Sequence, residues 1–113
     1  MAKIRISTIS NDSQQEDLSS NAPELIYIGQ RDLAYRKKLG QFFTPYSIAC
    51  FMSQWFTELP ISEPRILDPC AGLGVFERAL CAKNPGFMKP ARFTLWEKDK
   101  QLARDLFEIC KRL

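Results

Sequence analysis

Three features of this 113-residue sequence could do chemistry: Asp68, the glycine pair Gly72 and Gly74, and Glu97. The short apolar run Ile66-Leu67 enters Asp68-Pro69-Cys70-Ala71-Gly72-Leu73-Gly74, loop chemistry that passes straight into a helical stretch. A glycine-bearing turn between a strand and a helix brings backbone N–H groups and a helix N-terminus to the C-terminal edge of a sheet, where doubly wound folds bind ligands. Gly72 and Gly74 permit the tight turn and a close backbone approach. An acid at the first strand's tip suits the cationic end of a ligand. Glu97 closes a second strand 23 residues after Gly74, and a carboxylate at that place can accept both hydroxyls of a ribose.

The details narrow the class of nucleoside ligand. A dinucleotide fingerprint requires a third glycine where this chain has Glu77, and a carboxylate sits badly beside a pyrophosphate. No P-loop lysine follows the glycines, which disfavours a nucleoside triphosphate. Asp68 instead fits the methionine ammonium of S-adenosyl-L-methionine. The sequence contains no histidine, so no Ser-His or Cys-His nucleophile system exists within it. Cys50, Cys70, Cys81 and Cys110 form no C-x-x-C pair, which argues against zinc and for small core residues in a reduced, cytoplasmic protein. Residues 1–64 carry six basic and seven acidic side chains, residues 65–113 ten and six. That surplus is compatible with a polyanionic partner but does not establish one. No signal peptide or membrane-spanning stretch is apparent.

The elements that must position these residues follow from the spacing. Up to about residue 24 the chain is polar and is expected to be a disordered or weakly ordered tail, although Ile4, Ile6 and Ile9 hint at a short strand. Gly29 to Leu39 reads as a helix stopped by Gly40. Thr44 as N-cap and Pro45 at the first position predict a second helix. Its apolar stripe is Ile48, Phe51, Met52, Trp55 and Phe56, and Pro60 and Pro64 end it. Beyond Pro64 come a strand at 65–67, the glycine loop, a helix at 75–82, a turn at Asn84-Pro85-Gly86, a strand at 92–97 and a helix from Lys100. In that last helix Leu102, Leu106, Ile109, Cys110 and Leu113 share a face. This order is the βαβ beginning of a parallel α/β sheet.

The segment 66–76 resembles the cofactor motif of amino-methylating DNA methyltransferases, D-P-x-x-G-[ST]-G-x-F. Leu39-Gly40-Gln41-Phe42-Phe43-Thr44-Pro45 is similar to the G-x-[FY]-[YF]-T-P segment of the adenine-N6 group, which includes the Eco57I-like restriction-modification enzymes. Leu95-Trp96-Glu97-Lys98-Asp99 looks like the acidic motif that ends the second strand. The resemblance covers about residues 36 to 110. It implies an incomplete Rossmann-like class I methyltransferase fold: the first two βα units (61–113) preceded by a helical region (25–60). It further implies that Phe42, Phe43, Thr44 and Pro45 wall the methionine side of S-adenosyl-L-methionine, with the Thr44 hydroxyl near its carboxylate. Asp68 would face the ammonium, Ala71, Gly72 and Gly74 would give backbone contact, and Glu97 would hold the ribose. Phe76 is expected to pack the following helix onto the sheet. Leu73 departs from the family's Ser or Thr, and Glu77 stands where an apolar residue is common.

The family's catalytic tetrapeptide, [NDS]-P-P-[YFW], which holds a flipped-out base, has no counterpart here; nor do the third-strand acid and the target-recognition domain. The expected reading is therefore the cofactor-binding portion of a DNA adenine-N6 methyltransferase, with DNA bound through parts outside this segment. Lys38-Leu39-Gly40-Gln41-Phe42 also echoes the rRNA adenine dimethyltransferases, whose glycine loop runs E-x-G-x-G. A degenerate, non-catalytic methyltransferase module is a third reading. In the family's sheet the first strand is flanked by the fourth, so Arg65–Leu67 is expected to present an unpaired apolar edge that invites aggregation or pairing with another chain. Residues 1–113 alone are expected to transfer no methyl group. Label from methyl-tritiated S-adenosylmethionine appearing in DNA with this polypeptide as sole protein would contradict that.

Overall fold

A computed structural model describes residues 1–6 and 20–113. Ile9 and the polar run 11–17 lie outside the described residues. The elements are β1 (Ala2–Ile6), α1 (Ala22–Gln30), α2 (Leu33–Leu39), α3 (Tyr46–Ser53) with a 3-10 turn at Gln54–Glu58, β2 (Arg65–Asp68), α4 (Val75–Lys83), α5 (Pro85–Met88), β3 (Arg92–Glu97) and α6 (Lys100–Cys110). The result is an α/β arrangement around a small mixed sheet of order β1-β3-β2.

β2 and β3 are parallel, with Arg65 opposite Arg92 and Asp68 opposite Leu95. Parallel strands need a crossover, and α4 and α5 supply it. β1 lies antiparallel on the other side of β3, Ala2 opposite Glu97 and Ile6 opposite Phe93. Part of the expected tail is thus a sheet strand, and α1 begins inside its range, at Ala22. Isoleucines 4 and 6 explain the strand, since both pack against the core that β3 helps to build. Phe93, Leu95, Leu80, Met88, Leu106 and Cys110 form that core, each large apolar side chain contributing roughly 1.5–3 kcal/mol on burial. The thiols of Cys81 and Cys110 are pushed up to about 12 by burial, with the Glu77 charge adding to the effect; both behave as small apolar residues. Among the described residues no helix is long and apolar enough to cross a membrane.

Several local expectations need correction. The single helix over 29–39 is two: Arg31 leaves α1 in an extended conformation, and Asp32 starts α2 by accepting the Tyr35 N–H on its side chain. Gly40 does end α2, at φ 66°. Thr44 does not cap α3. Pro45 occupies the N-cap position and lacks a capping side chain, and Asn21 instead accepts the Tyr46 N–H at 2.7 Å from across the chain. The turn at 84–86 is the start of the short α5.

The expected apolar stripe is split: Met52 is half-buried and Phe56, in the 3-10 turn, packs against the core, but the other three residues face outward. Ile48, Phe51 and Trp55 are exposed, with Phe51 and Trp55 in edge contact at 5.7 Å. The buried face is Ala49 and Ser53. Both faces have helical spacing, and sterics decide between them: Ala49, with Val75 and Ala79 across from it, lets α3 approach α4 far more closely than a Phe-Trp face could. Phe76 joins this α3–α4 cluster rather than fastening α4 to the sheet.

Covered by the sheet on one side and α3 on the other, α4 buries nearly its whole circumference, Glu77 and Arg78 included. Arg78 forms a buried ion pair with Glu24 of α1 and donates a second hydrogen bond to the Ser20 carbonyl at 2.7 Å. Its guanidinium also lies 5.8 Å from the Tyr46 ring centre. These contacts clamp α1 to α4. Replacing one partner of such a pair strands the other in low dielectric, at about 3–5 kcal/mol. Arg78→Met is therefore expected to lower unfolding stability by about that amount in urea, and Glu24→Leu/Arg78→Met to recover most of the loss. Equal urea midpoints for Arg78→Met and wild type would refute the clamp.

Candidate functional site

The parallel register brings the ends of β2 and β3 to one edge, with Asp68 at one tip and Glu97 two residues beyond its neighbour Leu95. The glycine loop lies between them. The Ala71 N–H donates to the Trp96 carbonyl at 3.0 Å. The Gly72 N–H donates to the Glu97 carboxylate at 3.0 Å. Glu97 also accepts the Asp99 N–H on its other oxygen at 2.7 Å. Each carboxylate oxygen has two acceptor sites, so one remains on each after these bonds. Asp68 is half-buried, and one of its oxygens accepts the Cys70 N–H at 2.8 Å.

The two glycines differ in role. Both adopt left-handed backbone, Gly72 at φ 55° and Gly74 at φ 70°. A Cβ on Gly72 would touch the Phe43 ring at 3.4 Å, an ordinary contact. A Cβ on Gly74 would meet Leu106 Cδ1 at 2.9 Å, so this glycine makes room for α6 as well as for the turn. Gly74 is buried and serves as the N-cap of α4, while Gly72 stands nearer the surface. Ala71 is buried. Phe43 is half-buried between Gly72 and Tyr27, whose ring it meets edge-on at 5.8 Å. Phe42 is 76% exposed, and Thr44 and Pro45 lead from it into α3. The structure therefore brings Asp68, Ala71, Gly72, Glu97 and Phe43 to one edge, with Gly74 beneath them and the Phe42 ring turned to solvent.

A network that the sequence reading missed supports this edge. Asp99 caps α6 by accepting the N–H groups of Gln101 and Leu102 at 2.8 and 2.9 Å. Its other oxygen accepts the Tyr35 hydroxyl at 2.5 Å and the Gln41 amide at 3.3 Å. The Tyr27 hydroxyl donates to Gln41 at 2.9 Å. Burial works to raise the Asp99 pKa, but the hydrogen bonds from Tyr35, Leu102, Gln101 and Gln41 outweigh it and hold the carboxyl below its ordinary range. An Asp directly before an apolar-periodic helix was the available signal; nothing local indicated Tyr27, Tyr35 or Gln41. Beside Glu97 the network borders a cavity of about 430 Å³, lined also by Leu39 and Arg104. That volume falls within the usual range for small-molecule pockets. Asp68 and the glycine loop stand outside this half-open cavity, which adjoins the Glu97 end of the edge.

Comparison with known proteins found two similar segments. The chain is 38% identical over 69 residues to the Type II methyltransferase M.AccI of Acinetobacter calcoaceticus, covering 61% of this chain and 13% of that protein. It is 41% identical over 51 residues to the Type II methyltransferase M.BsuBI of Bacillus subtilis, covering 45% of this chain and 10% of that protein. The chain thus spans a small fraction of the length of the curated relatives it matches. No family model and no solved structure matches.

The glycine geometry gives an ordered pair of expectations. Gly72→Ala should cost about 1–2 kcal/mol for its left-handed backbone. Gly74→Ala should cost more, because it adds the overlap with Leu106. Chemical denaturation of both variants checks the order, and a milder effect at Gly74 would be inconsistent with the packing described.

Proposed function

We propose that this segment is the S-adenosyl-L-methionine-binding portion of a DNA methyltransferase that methylates adenine at N6, with a Rossmann-like class I fold in the complete enzyme. The observation that carries the reading is the tether of the glycine loop to Glu97 through the Gly72 N–H, with Asp68 at the neighbouring strand tip. The similarity to two Type II methyltransferases supports the same class, and the match to the G-x-[FY]-[YF]-T-P segment supports the adenine-N6 group.

The residues fit the cofactor chemically. Glu97 keeps one free acceptor site on each oxygen, enough for two ribose hydroxyls, and lines a half-open cavity. Asp68, in its more open position, offers a carboxylate to the α-ammonium. Gly72 and Ala71 hold their backbone against β3, so the loop needs little reorganisation on binding. Phe43 packs on Gly72 and fixes the motif containing Thr44 next to the loop. When bound, the cofactor supplies an electrophilic methyl on a sulfonium. This chain's part is to grip the amino-acid and ribose ends; the groups that hold the target base lie outside it. DNA is the proposed substrate, met by the rest of the enzyme.

A hydrogen bond to a charged group contributes about 1.5–3 kcal/mol, so Glu97→Ala and Asp68→Ala should each weaken S-adenosylhomocysteine binding about 10- to 100-fold. Titration calorimetry on the full polypeptide that carries these residues measures this, with NAD and ATP expected not to compete. Undiminished affinity in both variants would rule the site out. Nucleoside mass spectrometry of DNA treated with that polypeptide should show N6-methyladenine, and a methylated cytosine instead would overturn the base assignment.

A further inference from the structure

Glu77 is a carboxyl group with no counterpart in the site as proposed. It lies in the first turn of α4, directly under the glycine loop, and is 1% exposed. One of its oxygens would be 3.4 Å from a Cβ on Gly74. Both oxygens are buried and no other described residue donates to them, only the Glu77 main-chain N–H lying within reach. The surrounding titratable groups come from three elements. Asp68 interacts with it from the tip of β2, Cys110 from α6, and Arg78 and Cys81 from its own helix. α3 packs on the far side of α4, where Tyr46 lies against Arg78. Arg78 is held by Glu24 and the Ser20 carbonyl. Asp68 is within side-chain hydrogen-bonding reach of Glu77, both Glu77 oxygens are buried with no side-chain donor, and two carboxyl groups so placed are satisfied by a proton held between them.

We propose that Glu77 is the proton-carrying partner of Asp68, and that an ammonium group docking on Asp68 drives this proton out, so that ligand binding releases it to solvent. The inference rests on the S-adenosylmethionine reading, whose α-ammonium is the docking cation. In the empty site the Glu77 O–H donates to the Asp68 carboxylate. When the ammonium donates to Asp68 it takes over the role of that proton and neutralises the charge that opposed ionisation of Glu77. The O–H bond of Glu77 breaks, its electron pair stays on the carboxylate, and the proton leaves to buffer. Glu77 acts through Asp68 and is a positioning residue.

The electrostatics of the empty site agree. Burial first, and the Asp68 charge second, push the Glu77 carboxyl up from 4.5 to about 8. Its folded pKa lies above the ordinary value, so its contribution to stability is present at low pH and is lost as pH rises from about 4.5 to about 8. Because binding expels the proton, affinity rises with pH up to about 8, where Glu77 of the empty site is already ionised, by up to about tenfold per unit.

The test is calorimetric titration of the full polypeptide with S-adenosylhomocysteine, at pH 6.5 to 8, in buffers of different ionisation enthalpy. Wild type should release more than about half a proton near neutral pH and bind more tightly as pH rises. Glu77→Gln, which keeps a donor for Asp68 but cannot ionise, should bind with no proton release above background and a flat pH profile. Equal proton release and equal pH dependence in the two proteins would overturn the inference while leaving the cofactor reading intact. Absence of binding by both at every pH would overturn the cofactor reading and this inference with it. A readout independent of ligand is the urea midpoint of the empty protein. It should fall between pH 5 and 8 in wild type more than in Glu77→Gln, and parallel profiles would again overturn the inference.

Discussion

The parallel pairing of β2 with β3 is the constraint from which the other features of this site follow. Because the two strands run the same way, both of their C-terminal tips, and the loops that leave them, open on one edge. Asp68 and Glu97 are 29 positions apart in the sequence yet become neighbours across a loop of six residues. The Ala71 and Gly72 N–H groups then fix that loop to the end of β3. An antiparallel pairing would send the two acids to opposite ends of the sheet. The crossover helix α4 enforces the parallel arrangement, and the buried Arg78–Glu24 pair holds α1 against that helix.

A second layer of control comes from the helices before β2. Gln41 is buried and links Tyr27 on α1 to Asp99 at the start of α6, while Tyr35 on α2 reaches the same carboxylate. The turn after Glu97 is thereby held from two sides, one of which is the segment that also carries Phe43 and Thr44. The aromatic motif and the acidic motif are thus one assembly joined by hydrogen bonds. The outer face of α3, with Ile48, Phe51 and Trp55 exposed, and the edge of β2 that pairs with no described strand, with Leu67 55% exposed, lie outside this assembly.

Much of the second half was legible in the sequence. The run at 65–68, the glycine pair, the β-branched and aromatic strand at 92–97 and the one-sided helix from Lys100 each carry a local signal, and each formed as expected. The first half was less legible, for physical reasons. Ile48, Phe51 and Trp55 have the spacing of a core stripe, but the choice of face depended on how closely Ala49 could approach Val75 and Ala79. The cap of α3 comes from Asn21, 25 residues away, where no i-to-i+3 pattern can reveal it. Glu24 and Arg78 are 54 residues apart, and Glu77 and Arg78 in a helix would ordinarily be read as a solvated face. Asp68, Gly72 and Glu97, the residues of the proposed site, come to one edge as the local strand-loop-helix spacing led one to expect. Asp99 and Gln41 act through tertiary contacts, and only the capping position of Asp99 was written locally.

The central claim is that a nucleoside cofactor lies along the C-terminal edge of β2 and β3, with its ribose on Glu97. The most direct measurement is amide chemical-shift mapping by nuclear magnetic resonance as S-adenosylhomocysteine is titrated into the full polypeptide. The account predicts the largest shifts at Cys70, Ala71, Gly72, Lys98 and Asp99, with the exposed face of α3 unperturbed. Shifts confined to α3, or to the α1 surface, would contradict it.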